Sequence, residues 1–375
     1  MSARRAVTAA STVVLLVLVL AGCASSSEPI DSASVTDAPT AIGVSDGDLW
    51  PNCWSDDDAM YAANGDGAGF GSVTSDIVMN RIDGSPASEN SGASDLTGEG
   101  LATGDDLGQV WTAEEGYTRK PTGMLCVDGS LYLAVQDLAP DFNAAPNATI
   151  ARSDDHGRTW SWDTSAPMFA DGVFTTIWFA DYGKDAERRP DKKYVYAYGL
   201  DGNWRDSFTD IVPDPTELFL ARVPVKSVQD AATWEFYAGP SSTGSGTQPD
   251  WTTDIAKKQP VLVDDRRVHD LSVLSQGGVT YLPKHDRYLY TSWTEYTFEF
   301  YEAPKPWGPW TLFHSEDFGE YPWQEDRIGG YGTTVPSKFV TDDEKTMWVQ
   351  SNVCPCAPAG VSSYWFGLRE MTLGG

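Results

Sequence analysis

Short apolar strands that break at a turn and resume on a tryptophan recur along this chain, and the recurrence restricts the fold more than any other feature. Thr149-Ile150-Ala151-Arg152 leads to Thr159-Trp160-Ser161-Trp162, and Leu218-Phe219-Leu220-Ala221-Arg222 leads to Trp234-Glu235-Phe236-Tyr237. Phe300-Tyr301-Glu302-Ala303-Pro304 leads in the same way to Trp307-Gly308-Pro309-Trp310. Ahead of these lie further strands: 124–127 with 131–135 across Asp128-Gly129, then 194–198, then 279–282 with 287–293. Aromatic and aliphatic residues alternate in them with the period of two that half-buried strands require. Two more units read at 57–82 and at 338–371, the latter with strands at 346–350 and 364–368. The 35 Gly and 23 Pro leave little room for long helices. The expectation is an all-β fold, a single five-bladed β-propeller, with 83–109 and 239–250 as long surface loops.

Lys and Arg number 26 against 54 Asp and Glu, a net charge of −28. Such a field repels polyanions, which excludes nucleic acid as a partner and basic-patch docking on anionic lipid. The N-terminus reads as an address. Arg4 and Arg5 precede the apolar run 13–20, and Leu20-Ala21-Gly22-Cys23 follows as a lipobox-like cleavage site. The predicted organisation is a lipoprotein signal over 1–22, an acylated Cys23 with a flexible tether over 23–45, and the propeller over 46–375. The expected location is extracytoplasmic, with membrane contact only through the lipid anchor. Cys53, Cys126, Cys354 and Cys356 then remain, an even number compatible with two disulfides whose pairing the sequence leaves open. No histidine stands at zinc-ligand spacing from a cysteine, so no metal is assigned.

Ser153-Asp154-Asp155-His156-Gly157-Arg158-Thr159-Trp160 matches the Asp-box S-x-D-x-G-x-T-W. Its acid can accept backbone N–H groups across a tight turn and its glycine can supply an unusual dihedral, so its role is scaffold. Nucleophile elbows, phosphate loops and dinucleotide fingerprints are absent, which leaves carboxylates to carry chemistry. Glycoside hydrolysis needs one protonated carboxyl group and one ionised. The densest acids are Asp56, Asp57 and Asp58 behind Trp54, followed by Asp66 and Asp76. Like charges this close should raise one another's pKa. Asp58 and Asp76 form the expected catalytic pair, with Asp57 tuning it. Trp54, Asp66, Trp178, Asp181, Glu295 and Tyr331 are the expected sugar contacts. No cofactor is required.

The chain resembles domain-of-unknown-function family 4185 through Trp54-Ser55-Asp56-Asp57-Asp58, Asn64-Gly65-Asp66-Gly67, Leu220-Ala221-Arg222-Val223-Pro224, Pro306-Trp307-Gly308-Pro309-Trp310 and Gly329-Gly330-Tyr331-Gly332. The resemblance spans about residues 46 to 371. Some members of that family are endo-D-arabinanases of glycoside hydrolase family 183, acting on mycobacterial arabinogalactan and lipoarabinomannan. It therefore implies a five-bladed propeller that cleaves α-D-arabinofuranosidic linkages of cell-wall arabinan. The competing expectation is a lipoprotein propeller that binds envelope glycan without cutting it.

Overall fold

The computed structural model describes residues 28–41, 43–86, 94–202, 211–241, 248–319, 327–358 and 360–374. Cys23 and the leader lie outside these residues. No α-helix occurs among the described residues, where short 3-10 turns join strands.

The strands run as successive antiparallel meanders. In the first, Asp46–Asp48 and Asn52–Trp54 both pair with Met60–Gly69, followed by Ser75–Asp83 and Thr97–Thr103. The second comprises Thr118–Val127, Ser130–Leu138 and Ala148–Ser153. The third comprises Thr176–Asp181, Tyr194–Leu200, Glu217–Pro224 and Glu235–Pro240. Gly278–Leu282, Arg287–Trp293, Thr297–Ala303 and Thr311–Asp317 make the fourth. The fifth holds Tyr331–Thr334, Thr346–Asn352 and Gly367–Gly374, and is completed by Ser32–Val35 from the far end of the chain. The leading strands of the third and fourth meanders meet in parallel, Ala180 opposite Val279.

Period two explains how each sheet is held. On Met60–Gly69, Tyr61 and Ala63 face one way and join Met124, Leu131 and Leu133 of the second meander. Met60 and Ala62 face the other way and join Trp348, Phe366 and Leu368 of the fifth. Both faces are therefore buried, and each meander is clamped between neighbours by apolar side chains worth about 1.5–3 kcal/mol apiece. Between the second and third, Phe169, Phe174, Trp234 and Phe236 meet edge to face at 5.3–6.4 Å.

Three expectations are corrected here. Residues 83–109 are not one long loop: Thr97–Thr103 pairs with Ser75–Asp83 as an edge strand. The tether does not reach residue 45, because Ile30 and Val35 are buried and Ser32–Val35 pairs with 371–374. The final strand begins at Gly367 rather than at Tyr364, the backbone before it being bonded through Ser363 N to Val353 O and Phe366 N to Ser45 Oγ.

The Asp-box folds as its residues require. Asp155 accepts from Thr159 N at 2.9 Å and Thr159 Oγ1 at 2.6 Å, Gly157 sits at φ +79°, and Trp160 Nε1 donates to Gly157 O. Disulfides join Cys53 to Cys126, tying the first two meanders, and Cys354 to Cys356 within one loop.

Candidate active site

Each meander's leading strand starts at one end of the molecule and finishes at the other, so the two ends carry different turns. Asp48, Lys120 and Tyr331 belong to the starting end, together with Asp66 and Glu295, which lie where antiparallel neighbours return. A cleft of about 390 Å³ there is lined by Asp48, Asp66, Lys120, Glu295, Tyr331 and Tyr364, with Leu138, Phe142 and the Cys354–Cys356 loop also on its wall.

Asp48 is held by its own turn. Gly47 has φ +126°, and a side chain there would collide with Asn64. Leu49 and Trp50 both adopt positive φ, at 69° and 50°, a strained conformation for bulky residues that persists only where surroundings enforce it. The enforcement is visible: Trp50 is fully buried, and its indole donates to Gly47 O at 3.0 Å. The carboxyl group so positioned receives a 2.8 Å hydrogen bond from the Tyr331 hydroxyl on Oδ2, Tyr364 also bonds it, and Oδ1 is shielded from solvent. Burial pushes Asp48 up to about 7, against the pull of Lys120 and the Tyr331 bond, with Asp66 adding to the rise. Asp66, at φ +43°, is ion-paired with the buried Lys120 ammonium. Glu295, at φ +72°, is fixed by a bridge in which Gly330 N donates to its carbonyl at 2.8 Å. The cleft thus offers one carboxyl group that holds its proton near neutrality and, beside it, one paired with a cation.

The expected pair does not assemble. Asp76 lies across the hairpin from Asp66, since Gly65 faces Ile77 and Gly67 faces Ser75, whereas Asp57 and Asp58 precede Met60 at the other end of the same strand. At about 3.3 Å per residue the two ends are about 20 Å apart. The mutual rise among the three consecutive acids is also corrected, because each has a hydrogen-bonding partner of its own. Asp56 meets His156 Nε2 at 2.9 Å, Asp57 meets Arg81, and Asp58 meets Lys184 Nζ at 3.1 Å. The His156 bond draws Asp56 down and the Lys184 bond draws Asp58 down. For Asp57 and Asp76 burial works upward, but the bonds from Arg81 and from Arg119 carry the net shift below the ordinary value. All four are thus held below the ordinary carboxylate range, the opposite of Asp48.

The sugar contacts divide in the same way. Asp66, Glu295 and Tyr331 share the cleft with Asp48. Trp54 is at the opposite end, its indole donating to Asp58 Oδ1 at 3.1 Å beneath Lys338. Asp181 is there too, closed off by Ser337 N at 2.9 Å and Ser337 Oγ at 2.7 Å. Trp178 is buried and stacked on Tyr290 at 6.1 Å, away from the Asp48 cleft. Asp48, Lys120 and Tyr364 were not singled out by sequence; in so acidic a chain nothing local distinguishes Asp48. Asp56, Asp57 and His156 bring ligand atoms within 4.8 Å of one another, a spacing a metal could use, though exposed and already paired with side chains.

The architecture is that of an all-β fold found among glycoside hydrolases. A GH43_1 enzyme from Xanthomonas citri superposes over 90% of this chain and 90% of its own, with a TM-score of 0.51 and 13% identity. A Bacteroides ovatus protein assigned as a hydrolase superposes over 88% of this chain and 87% of its own, with a TM-score of 0.51 and 11% identity. The chain belongs to the family described as Domain of unknown function (DUF4185), whose model matches residues 34–347. No curated protein matches it.

Proposed function

We propose that the protein is a glycoside hydrolase whose acid–base pair is Asp48 and Asp66. The observation that carries this reading is the Asp48 carboxyl group, pushed up to about 7 by burial in the same cleft as an Asp66 paired with Lys120. Asp48 in its protonated form donates to the departing glycosidic oxygen, and the Asp66 carboxylate acts from its side as base or nucleophile. Tyr331, whose own proton burial retains, orients Asp48 through Oδ2. Lys120 pairs with Asp66 and limits how far Asp48 rises. Glu295 supplies a further polar contact for hydroxyl groups. In this reading the five meanders are blades of one closed propeller, with the cleft at the end where the leading strands begin.

The substrate we assign is α-D-arabinofuranan of a mycobacterial-type cell wall, on the strength of the family resemblance, and the enzyme stands off the membrane through lipid on Cys23. Incubation of the purified protein with arabinogalactan, followed by chromatography of released oligosaccharides, tests the assignment. A ladder of products is expected. An unchanged polymer that the protein nevertheless binds moves the assignment to a non-catalytic glycan receptor.

A further inference from the structure

The chain enters its last strand through residues 363–366, a short segment that forms no strand of its own. Its backbone bonds to neighbours instead. Gly47 N donates to Tyr364 O at 3.2 Å, Phe366 N donates to Ser45 Oγ at 2.9 Å, and the buried Asn352 amide donates to Ser363 O at 3.1 Å and to Trp365 O at 2.9 Å. The segment is therefore stitched on one side to the turn that carries Asp48 and on the other to Thr346–Asn352. Phe366 is fully buried in an apolar cluster, whereas Tyr364 is half-buried and stands on the cleft wall. The Tyr364 hydroxyl bonds the Asp48 side chain, so the backbone and the side chain of one residue hold the same turn. Burial, followed by the fields of Asp48, Asp66 and Asp46, pushes this phenol up, which leaves it a donor throughout the neutral range.

We infer that Tyr364 is a positioning residue for the acid of this cleft, its hydroxyl fixing the plane of the Asp48 carboxyl group together with that of Tyr331. One hydrogen bond leaves a carboxyl group free to turn about it, and a second donor removes that freedom. When Asp48 gives up its proton, charge develops on a buried group, and donors already aimed there stabilise it without reorganising. Such a bond is stronger in the transition state than in the substrate complex, so it acts on kcat rather than on KM. The groups that face Asp48 are Lys120, Asp66, Tyr331 and Tyr364, with Glu295 acting on Tyr331 and Asp46 on Tyr364. Removing the Tyr364 hydroxyl takes away a donor and leaves every ion in place. The inference rests on the glycosidase reading and adds to it a second hydroxyl on which the acid depends.

Tyr364→Phe tests it, since the ring and the backbone bonds stay. The melting temperature should remain within about 3 °C of wild type. On arabinan, kcat should fall about tenfold with KM within about twofold. The alkaline limb of kcat/KM should move up by about half a pH unit, because a bond that favours ionised Asp48 is lost. An arabinofuranosyl oligosaccharide with a nitrophenolate leaving group needs little help from an acid, so on that substrate the loss should shrink to within about twofold. Equal losses on both substrates, or an alkaline limb that does not move, assign Tyr364 to the scaffold and overturn the inference. A wild-type kcat in Tyr364→Phe overturns it while leaving the glycosidase reading intact. A wild-type protein that releases nothing from either substrate overturns both readings.

Discussion

At the end where the leading strands begin, Asp48 sits with one carboxyl oxygen shielded from solvent and is pushed up to about 7, its nearest cation, Lys120, being shared with Asp66. At the end where they finish, Asp56, Asp57 and Asp58 are exposed, and each is met by a partner of its own, an imidazole, a guanidinium and an ammonium group in turn. The same side chain is a proton reservoir in one place and an inert surface charge in the other. The difference lies in desolvation and in the ratio of cations to acids, not in the number of acids. The far end carries the Cys53–Cys126 bond and the closure of Asp181 on Ser337.

The sharpest way to break this contrast is to neutralise one acid at each end. Asp48→Asn should lower kcat on arabinan by about 10³-fold, within the range that general acid–base groups supply. Asp58→Asn should leave kcat within about twofold, and release of reducing ends measures both. The reverse ranking would return the chemistry to the acid run. Next in size is the disulfide at the far end. Cys53→Ser with Cys126→Ser opens a covalent loop of sequence separation 73 and should cost about 4 kcal/mol in denaturant unfolding.

The pH profile sharpens the contrast further. As the proton donor, Asp48 is active when protonated, so kcat/KM should fall as pH rises through about 7. Lys120 holds Asp48 down, and Lys120→Met should therefore move that alkaline limb upward, by about one unit at a lower overall rate. Stability has the matching sign. The folded pKa of Asp48 is raised above its unfolded value, so its contribution is fully present below about 4 and is lost as pH rises towards 7. Asp48→Asn should accordingly gain stability relative to wild type at pH 8 compared with pH 4, seen in paired thermal melts. The smallest effect is expected at the far end, where Asp56→Ala should cost under about 1 kcal/mol because its pairing with His156 is exposed.

Much of the strand order was legible because period two survives in the residues themselves. Met60 to Ala63 alternate between two buried interfaces, and the Asp128-Gly129 hairpin sits at φ +50° and +76° as such a turn needs. The strand Ser32–Val35 was illegible for the opposite reason. Its sequence, Ser-Ala-Ser-Val, has the composition of a linker, and pairing with residues 371–374 makes it a strand. In the cleft, Asp66 and Tyr331 could be picked out beside glycine-rich turns, and Glu295 as an acid among the aromatic residues Trp293 and Tyr296. Asp48 could not, because its raised pKa is made by burial, and the Tyr331 hydroxyl that fixes its carboxyl group stands 283 positions away. Asp57 and Asp58 drew attention for being consecutive, yet consecutive acids at a turn are most easily accommodated where water and lysines reach them.

The pairing of Ser32–Val35 with the last strand has a consequence for how the chain can be cut. A fragment starting at residue 46 would leave the outer side of Gly367–Gly374 with unmatched amide and carbonyl groups, an open template for a strand from another molecule. Such a fragment should recruit the missing segment in trans, so a synthetic peptide covering residues 28–41 would complement it, and without the peptide it would self-associate.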